Sequence, residues 1–483
     1  MRDSSASHTV EKIGGTSMSN YHAVRDNIVL RQARAGDPYQ RMFVVSAYAG
    51  ITNALLEHKK SGKHGIYALF AAGVGDDSWR QALADLRQEM HDTNEALFGE
   101  GLLLARANRF IDERMDDAQR ILGDLHRLCQ HGHFELATHL LTVREMLASL
   151  GEAHSAWNTA QLLQRDGINA IFLDLTGWRC DAHVSLDERI ATALAGVDLA
   201  QQLPIVTGYC HCSHGLMTRF DRGYSEMTLS RLAVLSGARE AVIHKEYHLS
   251  SADPAVVGEE PVVPIGRTNY DVADQLANLG MEAIHPRAAK GLRQAGIPLR
   301  IKNTFEPDHQ GTLITPGYRS ERPCVEIIAG CSGIYLFEIF DQDMMGNMAR
   351  YDRDVLELIA RFKAGIVTKD INANTITHYL TTNLKTIKRI REALHQAYPE
   401  AETRVRKVAV VSAIGSDMQV PGLLARAVGA IADAGVSVLA MHQSMRQVDM
   451  QFIVEEASYE AAVRALHGAL IEAQHHGHAI CAA

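Results

Sequence analysis

No stretch of this chain approaches the roughly 20 consecutive apolar residues that a helix needs to cross a bilayer, so no membrane span is expected. Residues Met1 to His8 are polar and lack the apolar segment of a secretory signal, which points to a soluble cytoplasmic protein. No block of like charge occurs, and acidic residues outnumber basic ones, 57 against 48, for a net charge of -9. Nucleic-acid binding rewards clustered basic surface, so nucleic acid is not expected among the partners. Cysteine is scarce: seven residues in 483, scattered and odd in number, a pattern of reduced thiols rather than of a disulfide framework. Cys210, His211, Cys212 and His214 are the residue types that bind zinc. Their Cys-x-Cys spacing is tighter than structural zinc sites use and no second pair follows, so no protein-held metal is expected. The terminal His475, His476 and His478 read as a solvated end.

What is present is enough chain for roughly three domains, and a hydrophobic fraction of 46% that can fill their cores. Through the first 300 residues or so, short apolar runs alternate with helical patterns. The runs are Met42 to Val45, Ala170 to Leu173, Ile205 to Thr207, Ala241 to Ile243 and Leu299 to Ile301, with helices across the region 80 to 165. Short strands between amphipathic helices predict an α/β fold with three layers and a mostly parallel sheet. In such sheets ligands gather beyond the carboxyl ends of the strands, which directs attention to Gly14-Gly15, Ser46 to Gly50, Gly208 and Gly215.

The first of these turns is the most suggestive. Lys12 to Ser17 reads Lys-Ile-Gly-Gly-Thr-Ser between an apolar start, Thr9-Val10, and a helical stretch from Tyr21 to Arg34. Adjacent glycines bring backbone N–H groups close to an anion, the following helix adds its positive end, and a nearby lysine can neutralise a transferring phosphoryl group. An ordinary strand-turn-helix junction uses the same residues.

From about residue 326 two stretches of similar layout follow each other. One runs from Ile334–Phe340 through a helix at Asp352–Phe362 to Thr375–Leu380 and a second helix; the other runs from Val408–Val411 through Leu423–Ala432 to Met450–Val454 and a second helix. Strand, helix, strand, strand, helix is most of a ferredoxin-like βαββαβ unit, repeated at about 70 residues.

Taken together, these pieces resemble an aspartate kinase, a member of the amino-acid kinase family with tandem ACT domains. The resemblance rests on Lys12 to Ser17, on Val44 to Thr52, on Gly151-Glu152, on Pro204 to Gly208 and on Arg222-Gly223-Tyr224-Ser225-Glu226. Further along it rests on Ser251-Ala252-Asp253-Pro254, His285-Pro286, Asn303-Thr304-Phe305 and Gly311-Thr312, and in the second repeat on Pro421-Gly422 and Val463 to His467. It implies a catalytic domain over residues 8–318, a first ACT domain over 319–400 and a second over 401–478. It also implies ATP and Mg2+ as cosubstrate and cofactor, L-aspartate as acceptor, 4-phospho-L-aspartate as product, and a homodimer or higher homo-oligomer.

By the same resemblance Lys12 stabilises the transferring phosphoryl group, with Gly14, Gly15 and Ser17 near the β- and γ-phosphates and Lys245 and Asp253 also on the nucleotide side. Arg222 grips the α-carboxylate of aspartate, for which a planar two-pronged donor is suited. Thr52, Glu152 and Glu226 line the amino-acid pocket with Ser46 and Ser225; the acidic pair balances the substrate ammonium and orients Lys12. A carboxylate acceptor is already nucleophilic at neutral pH, so positioning and charge stabilisation are the main tasks.

The chain departs from the family in three places. His244 to Leu249 replaces a Thr-Asp-Val-x-Gly-Ile pattern, Glu282 stands where a lysine is usual, and Tyr224 and Glu226 replace a glycine and an aspartate. Lys245 is the candidate to supply the charge that Glu282 does not. The divergence is similar to a subgroup of aspartokinases associated with ectoine synthesis. The ACT pair implies an amino-acid effector, and the larger side chains of Gln443 to Arg446, in place of a Gly/Ser-rich turn, imply weak response to lysine or threonine. Two other readings fit the same residues: a kinase for another acidic amino acid, and a non-catalytic regulatory protein that keeps the fold.

Overall fold

The computed structural model describes residues 8–31, 37–58, 61–73, 77–180, 183–220, 223–281 and 283–474. Two compact units form, one from residues up to His248 together with Ile284–Pro316, the other from Leu249–Ala283 together with residues from Gly317 onward.

In the first unit the apolar runs become strands: β1 (Thr9–Ile13), β2 (Arg41–Val45), β3 (Ala170–Leu173), β4 (Leu203–Thr207) and β5 (Glu240–Lys245). After β6 (Arg267–Asn269), which belongs to the second unit, come β7 (Leu299–Asn303) and β8 (Thr312–Thr315). The first unit's strands are ordered β3-β4-β2-β1-β5-β7-β8, parallel throughout except for β8, which runs antiparallel to β7. Near-continuous burial of β1, β2 and β4 is what a parallel sheet covered on both faces demands. The helix Leu140–Arg165 packs on β2, β3 and β4, and the helix Tyr224–Ser236 packs on β1, β2 and β5. Because β1 lies between β2 and β5, the chain leaves it toward opposite sides, and the turns after β1, β2, β4 and β5 share one edge of the sheet.

The helical stretch after β1 differs from expectation. Among its described residues only Tyr21–Ala23 is α-helical, and Val24–Leu30 winds as a π-helix. Arg41 accounts for the wider turn, since its guanidinium donates to the carbonyls of Ile28 and Val29 at 3.0 Å each. The same guanidinium holds Glu11 through Nε at 2.6 Å and Nη2 at 2.9 Å, and His244 reaches the second Glu11 oxygen at 2.7 Å. Burial alone raises a carboxyl pKa, but Arg41 and His244 together hold Glu11 well below the usual range. This buried cluster of Arg41, Glu11 and His244 ties β1, β2 and β5 together beneath the turns.

The second unit contains one six-stranded sheet, ordered β10-β11-β9-β12-β14-β13, from β9 (Ile327–Phe340), β10 (Gly365–Asn372), β11 (Thr375–Thr381), β12 (Glu402–Ile414), β13 (Val438–Gln443) and β14 (Asp449–Glu455). β9 and β12 pair antiparallel along their whole lengths, from Glu402 opposite Phe340 to Ile414 opposite Ile327, with an irregularity between Val408 and Val410. That register divides each strand between two cores. Phe337 and Ile339 pack with Val355, Ile359, Ile376 and Leu394, whereas Ile327, Ile328 and Val408 to Val411 pack with Leu423, Phe452 and Leu466. The strand missing from each sequence repeat is therefore half of a longer strand. Ile265, Val272, Leu276 and Leu279 from the segment Leu249–Ala283 join the second core.

Candidate active site

Lys12 extends from the end of β1 toward the N-terminal turn of the helix Tyr224–Ser236, where its Nζ lies 3.6 Å from Oε1 of Glu226. Both side chains are only 12% exposed, so the pair is largely removed from solvent screening. The other oxygen of Glu226 accepts the backbone N–H of His285.

Glu152 adds a second carboxylate. It sits in the middle of the helix Leu140–Arg165 and is buried. Burial pushes its pKa well above the usual glutamate range, while the charge of Lys12 and hydrogen bonds from the Tyr209 backbone and the Tyr224 side chain pull it back. Among the described residues its Oε2 has no hydrogen-bond partner. A buried carboxylate oxygen left unpaired costs free energy unless a ligand meets it.

Gly208, just after β4, lets these groups converge. A Cβ there would lie 2.7 Å from the Ser225 Cβ, 2.8 Å from the Val45 carbonyl oxygen and 2.9 Å from Glu152 Oε1. Ser225 itself is buried in the first turn of its helix, beside Glu226. Tyr224, the bulky replacement in that turn, points inward: it is 3% exposed, and its ring meets Tyr209 edge-on with centroids 5.7 Å apart. The departure from glycine therefore furnishes Glu152 with a hydroxyl rather than obstructing the cleft.

The glycine turn is more committed to the protein than its sequence suggests. Gly14 donates its N–H to the His244 carbonyl at 3.1 Å, and Ser17, fully buried, bonds the Thr304 hydroxyl at 2.8 Å. Gly15 opens the short helix Gly15–Met18, and a Cβ on it would come 2.7 Å from the Ala47 carbonyl oxygen. Ser46 prolongs the sheet, donating its N–H to Ile13 at 3.1 Å and accepting from Ser155 Oγ at 2.8 Å. Thr52 is half-buried in the helix Ile51–Leu55. Lys245 ends β5, and its carbonyl accepts from Thr304 at 2.8 Å.

Asp253 belongs to the second unit, where it caps the helix Pro254–Val257 by accepting from Ala255 at 2.9 Å. Arg222 and Glu282 lie outside the described residues, as do His475, His476 and His478. Cys210 and Cys212 are buried thiols, both with pKa raised by burial. Within the first unit, then, Lys12, Glu152, Ser225 and Glu226 form one cluster. Sequence reasoning passed over Tyr209, Tyr224 and Thr304 as partners; the signal for Tyr209 was its place directly after the strand-end Gly208.

No helix among the described residues is long and apolar enough to cross a membrane. The amino acid kinase family matches residues 8–303, and an ACT domain matches residues 400–468. Aspartate kinase Ask_Ect of Stutzerimonas stutzeri (strain A1501) is 54% identical over 476 residues, covering 99% of this chain and 100% of that protein. The chain belongs to the amino acid kinase family and, within it, to the aspartate kinases of the Ask_Ect kind, enzymes that transfer a phosphoryl group. Its fold is similar to that of E. coli aspartokinase III in complex with aspartate and ADP (R-state), with a TM-score of 0.72 at 19% identity over 96% of this chain and 99% of that one. The form of that enzyme in complex with lysine and aspartate (T-state) gives 0.70 at 20% identity over 96% and 100% of the respective chains.

Proposed function

We propose that the cluster around Lys12 is where this aspartate kinase transfers the γ-phosphoryl group of ATP, taken up as its Mg2+ complex, to the β-carboxylate of L-aspartate. A β-carboxylate oxygen attacks the γ-phosphorus as the bond to the β-γ bridging oxygen breaks, giving 4-phospho-L-aspartate and ADP. The carboxylate needs no base, so the residues position two anions and stabilise spreading charge. Lys12 meets the transferring group while Glu226 holds the lysine in line. Glu152, with its unpaired Oε2, takes the substrate ammonium, and Arg222 takes the α-carboxylate. Ser225, Thr52 and Ser46 line the amino-acid side. Gly14 and Gly15 keep the phosphate side bare of side chains, Ser17 braces the turn, and Lys245 serves the nucleotide.

One observation carries this reading: a lysine beside two carboxylates, one paired with it at 3.6 Å and the other fully buried with an oxygen unmet among the described residues. The enzyme is cytoplasmic and a homodimer or larger assembly, with an amino-acid effector at the ACT pair, and its product serves aspartate-derived synthesis including that of ectoine. The test is aspartate-dependent ADP release with the acyl phosphate trapped by hydroxylamine. Hydroxamate that disappears in Lys12→Ala supports the assignment; hydroxamate undiminished in Lys12→Ala, with the variant folded, removes Lys12 from the reaction.

A further inference from the structure

The helix Tyr224–Ser236, which carries Ser225 and Glu226, is packed against the helix Pro286–Ala295 through small residues. Ser230 Oγ donates to the Ala288 carbonyl at 2.8 Å, and a Cβ on Gly291 would lie 2.7 Å from that same Oγ. So close an approach brings the N-terminal ends of the two helices side by side, and His285 occupies the junction.

Three contacts meet there. The His285 backbone N–H donates to Glu226 Oε2. Its Nδ1 accepts the Arg287 N–H at 3.3 Å, capping its own helix. Its imidazole covers Gly223: a Cβ on Gly223 would lie 2.8 Å from the ring Cγ. The imidazole is also flanked by Phe220, which meets it edge-on at 6.0 Å, and the Arg287 guanidinium lies 5.4 Å over Phe220 while donating to the Arg219 carbonyl at 3.3 Å.

We propose that His285 is a positioning residue for phosphoryl transfer. A carboxylate with neither oxygen fixed can turn about its last bond and offer Lys12 either atom at varying distance. With Oε2 held by the His285 N–H, Oε1 is the atom left to face Lys12, and the imidazole pressed on Gly223 keeps the start of the helix at the height where that bond forms. The role rests on Lys12 acting at the transferring group, as argued above. It predicts an effect on the step in which charge spreads over that group, which is seen in kcat rather than in substrate affinity.

Gly223 makes the idea separable from general loss of structure. Its backbone, φ -82° and ψ 8°, is open to any residue, so Gly223→Ala adds a methyl group and little backbone strain. The methyl group must displace the imidazole or the start of the helix. His285→Ser removes the ring while keeping the backbone N–H and a capping oxygen. Rates are measured by hydroxamate formation with saturating MgATP and L-aspartate, together with both KM values and thermal midpoints, on the full chain. Gly223→Ala is expected to lower kcat about thirtyfold and His285→Ser about threefold, with both KM values within about twofold of the parent; the double variant returns to the His285→Ser level, because the two positions act through one contact.

Multiplicative losses in the double variant overturn the proposal, as does a Gly223→Ala enzyme within about twofold of the parent kcat. If Gly223→Ala does not fold, His285→Ser alone decides: a fall in kcat at constant KM supports the role, and a raised KM at constant kcat overturns it. Lys12→Ala, run in parallel, separates the two levels. Full activity in that variant sinks the reading of Lys12, whereas its inactivity combined with no recovery in the double variant sinks only the role of His285.

Discussion

Glu145 and Glu152 stand seven residues apart on the helix Leu140–Arg165, both buried, and they differ in how completely they are hydrogen-bonded. Glu145 accepts from the Tyr209 hydroxyl at 2.8 Å and from the backbone of Leu216, Met217 and Thr218 at 3.1, 3.0 and 2.8 Å. Glu152 keeps Oε2 unmet among the described residues. Two turns of helix separate a carboxylate used to fasten a loop from one left available to a ligand.

Opposite responses to the same substitution are expected. Glu145→Gln places an amide group against backbone N–H donors and should cost roughly 2 kcal/mol of stability. Glu152→Gln removes a buried charge, so the thermal midpoint should hold or rise while KM for aspartate rises about tenfold or more, the loss of a charged contact. Melting curves and aspartate titrations of the two variants check both halves.

The raised pKa of Glu152 gives that affinity a pH dependence. Below the raised pKa the carboxyl is protonated and offers no charge to an ammonium group, so KM for aspartate should climb as pH falls through a value above the ordinary glutamate range. The climb should be missing in Glu152→Gln, and a pH series of KM for both proteins measures it.

Gly208→Ala should disable the site from the other side. The added methyl group has no free direction among Ser225, the Val45 carbonyl and Glu152, so either the strand end or the helix Tyr224–Ser236 must shift. A displacement of this kind near reacting groups costs on the order of a hundredfold in kcat/KM. Steady-state rates with a circular-dichroism control test the expectation.

In the second unit His378 is fully buried on β11, and neither ring nitrogen has a hydrogen-bond partner among the described residues. Burial, with Lys369 nearby, lowers its pKa to about 4. The unfolded chain therefore binds the proton first as pH falls. The stability held by neutral His378 is present above the unfolded value near 6.5 and is lost as pH falls toward 4, amounting to about 2 kcal/mol by pH 5. His378→Leu should flatten that part of the pH dependence. Denaturant melts of both proteins at pH 7 and pH 5 check it, the parent losing more than the variant.

Lysine and threonine should leave the rate within about twofold, since an effector acts only through a difference in its binding to two states. The turn where a Gly/Ser-rich segment is usual instead carries Met445, 97% exposed, and Arg446, whose guanidinium is held by Asp271 at 2.8 Å. Rates with each amino acid added over a wide range are the measurement, and strong inhibition by either would contradict the expectation.

Much of the fold was legible because its strands are short apolar runs bounded by turns, as at Met42 to Val45 and Ala170 to Leu173. The first half of β12 was not, because Glu402 to Lys407 is polar and half-exposed and reads as a loop; only its pairing with Tyr335 to Phe340 makes it a strand. The π-helix escaped for a similar reason, since the guanidinium that takes up its carbonyls comes from Arg41 on the next strand. Lys12 and Glu152 were found through motifs, but the bonding of Glu152 by Tyr209 and Tyr224 joins residues from three elements that no local pattern connects. Nothing local marks Leu249–Ala283 as part of the C-terminal core either, although the family match runs through it.

The shared strands also bear on the order of events during synthesis. The C-terminal ferredoxin-like module needs Ile327 to Ile334 beside Val408 to Ile414, so its first strand leaves the ribosome roughly 130 residues before the helix Tyr459–Leu470 that closes its core. The module between them, from Tyr335 to Lys407, is contiguous and can close on its own chain first. The earlier-emerging module thus matures inside a later one, and for that interval the start of β9 is an unpaired apolar edge that the nascent protein must keep from finding another chain.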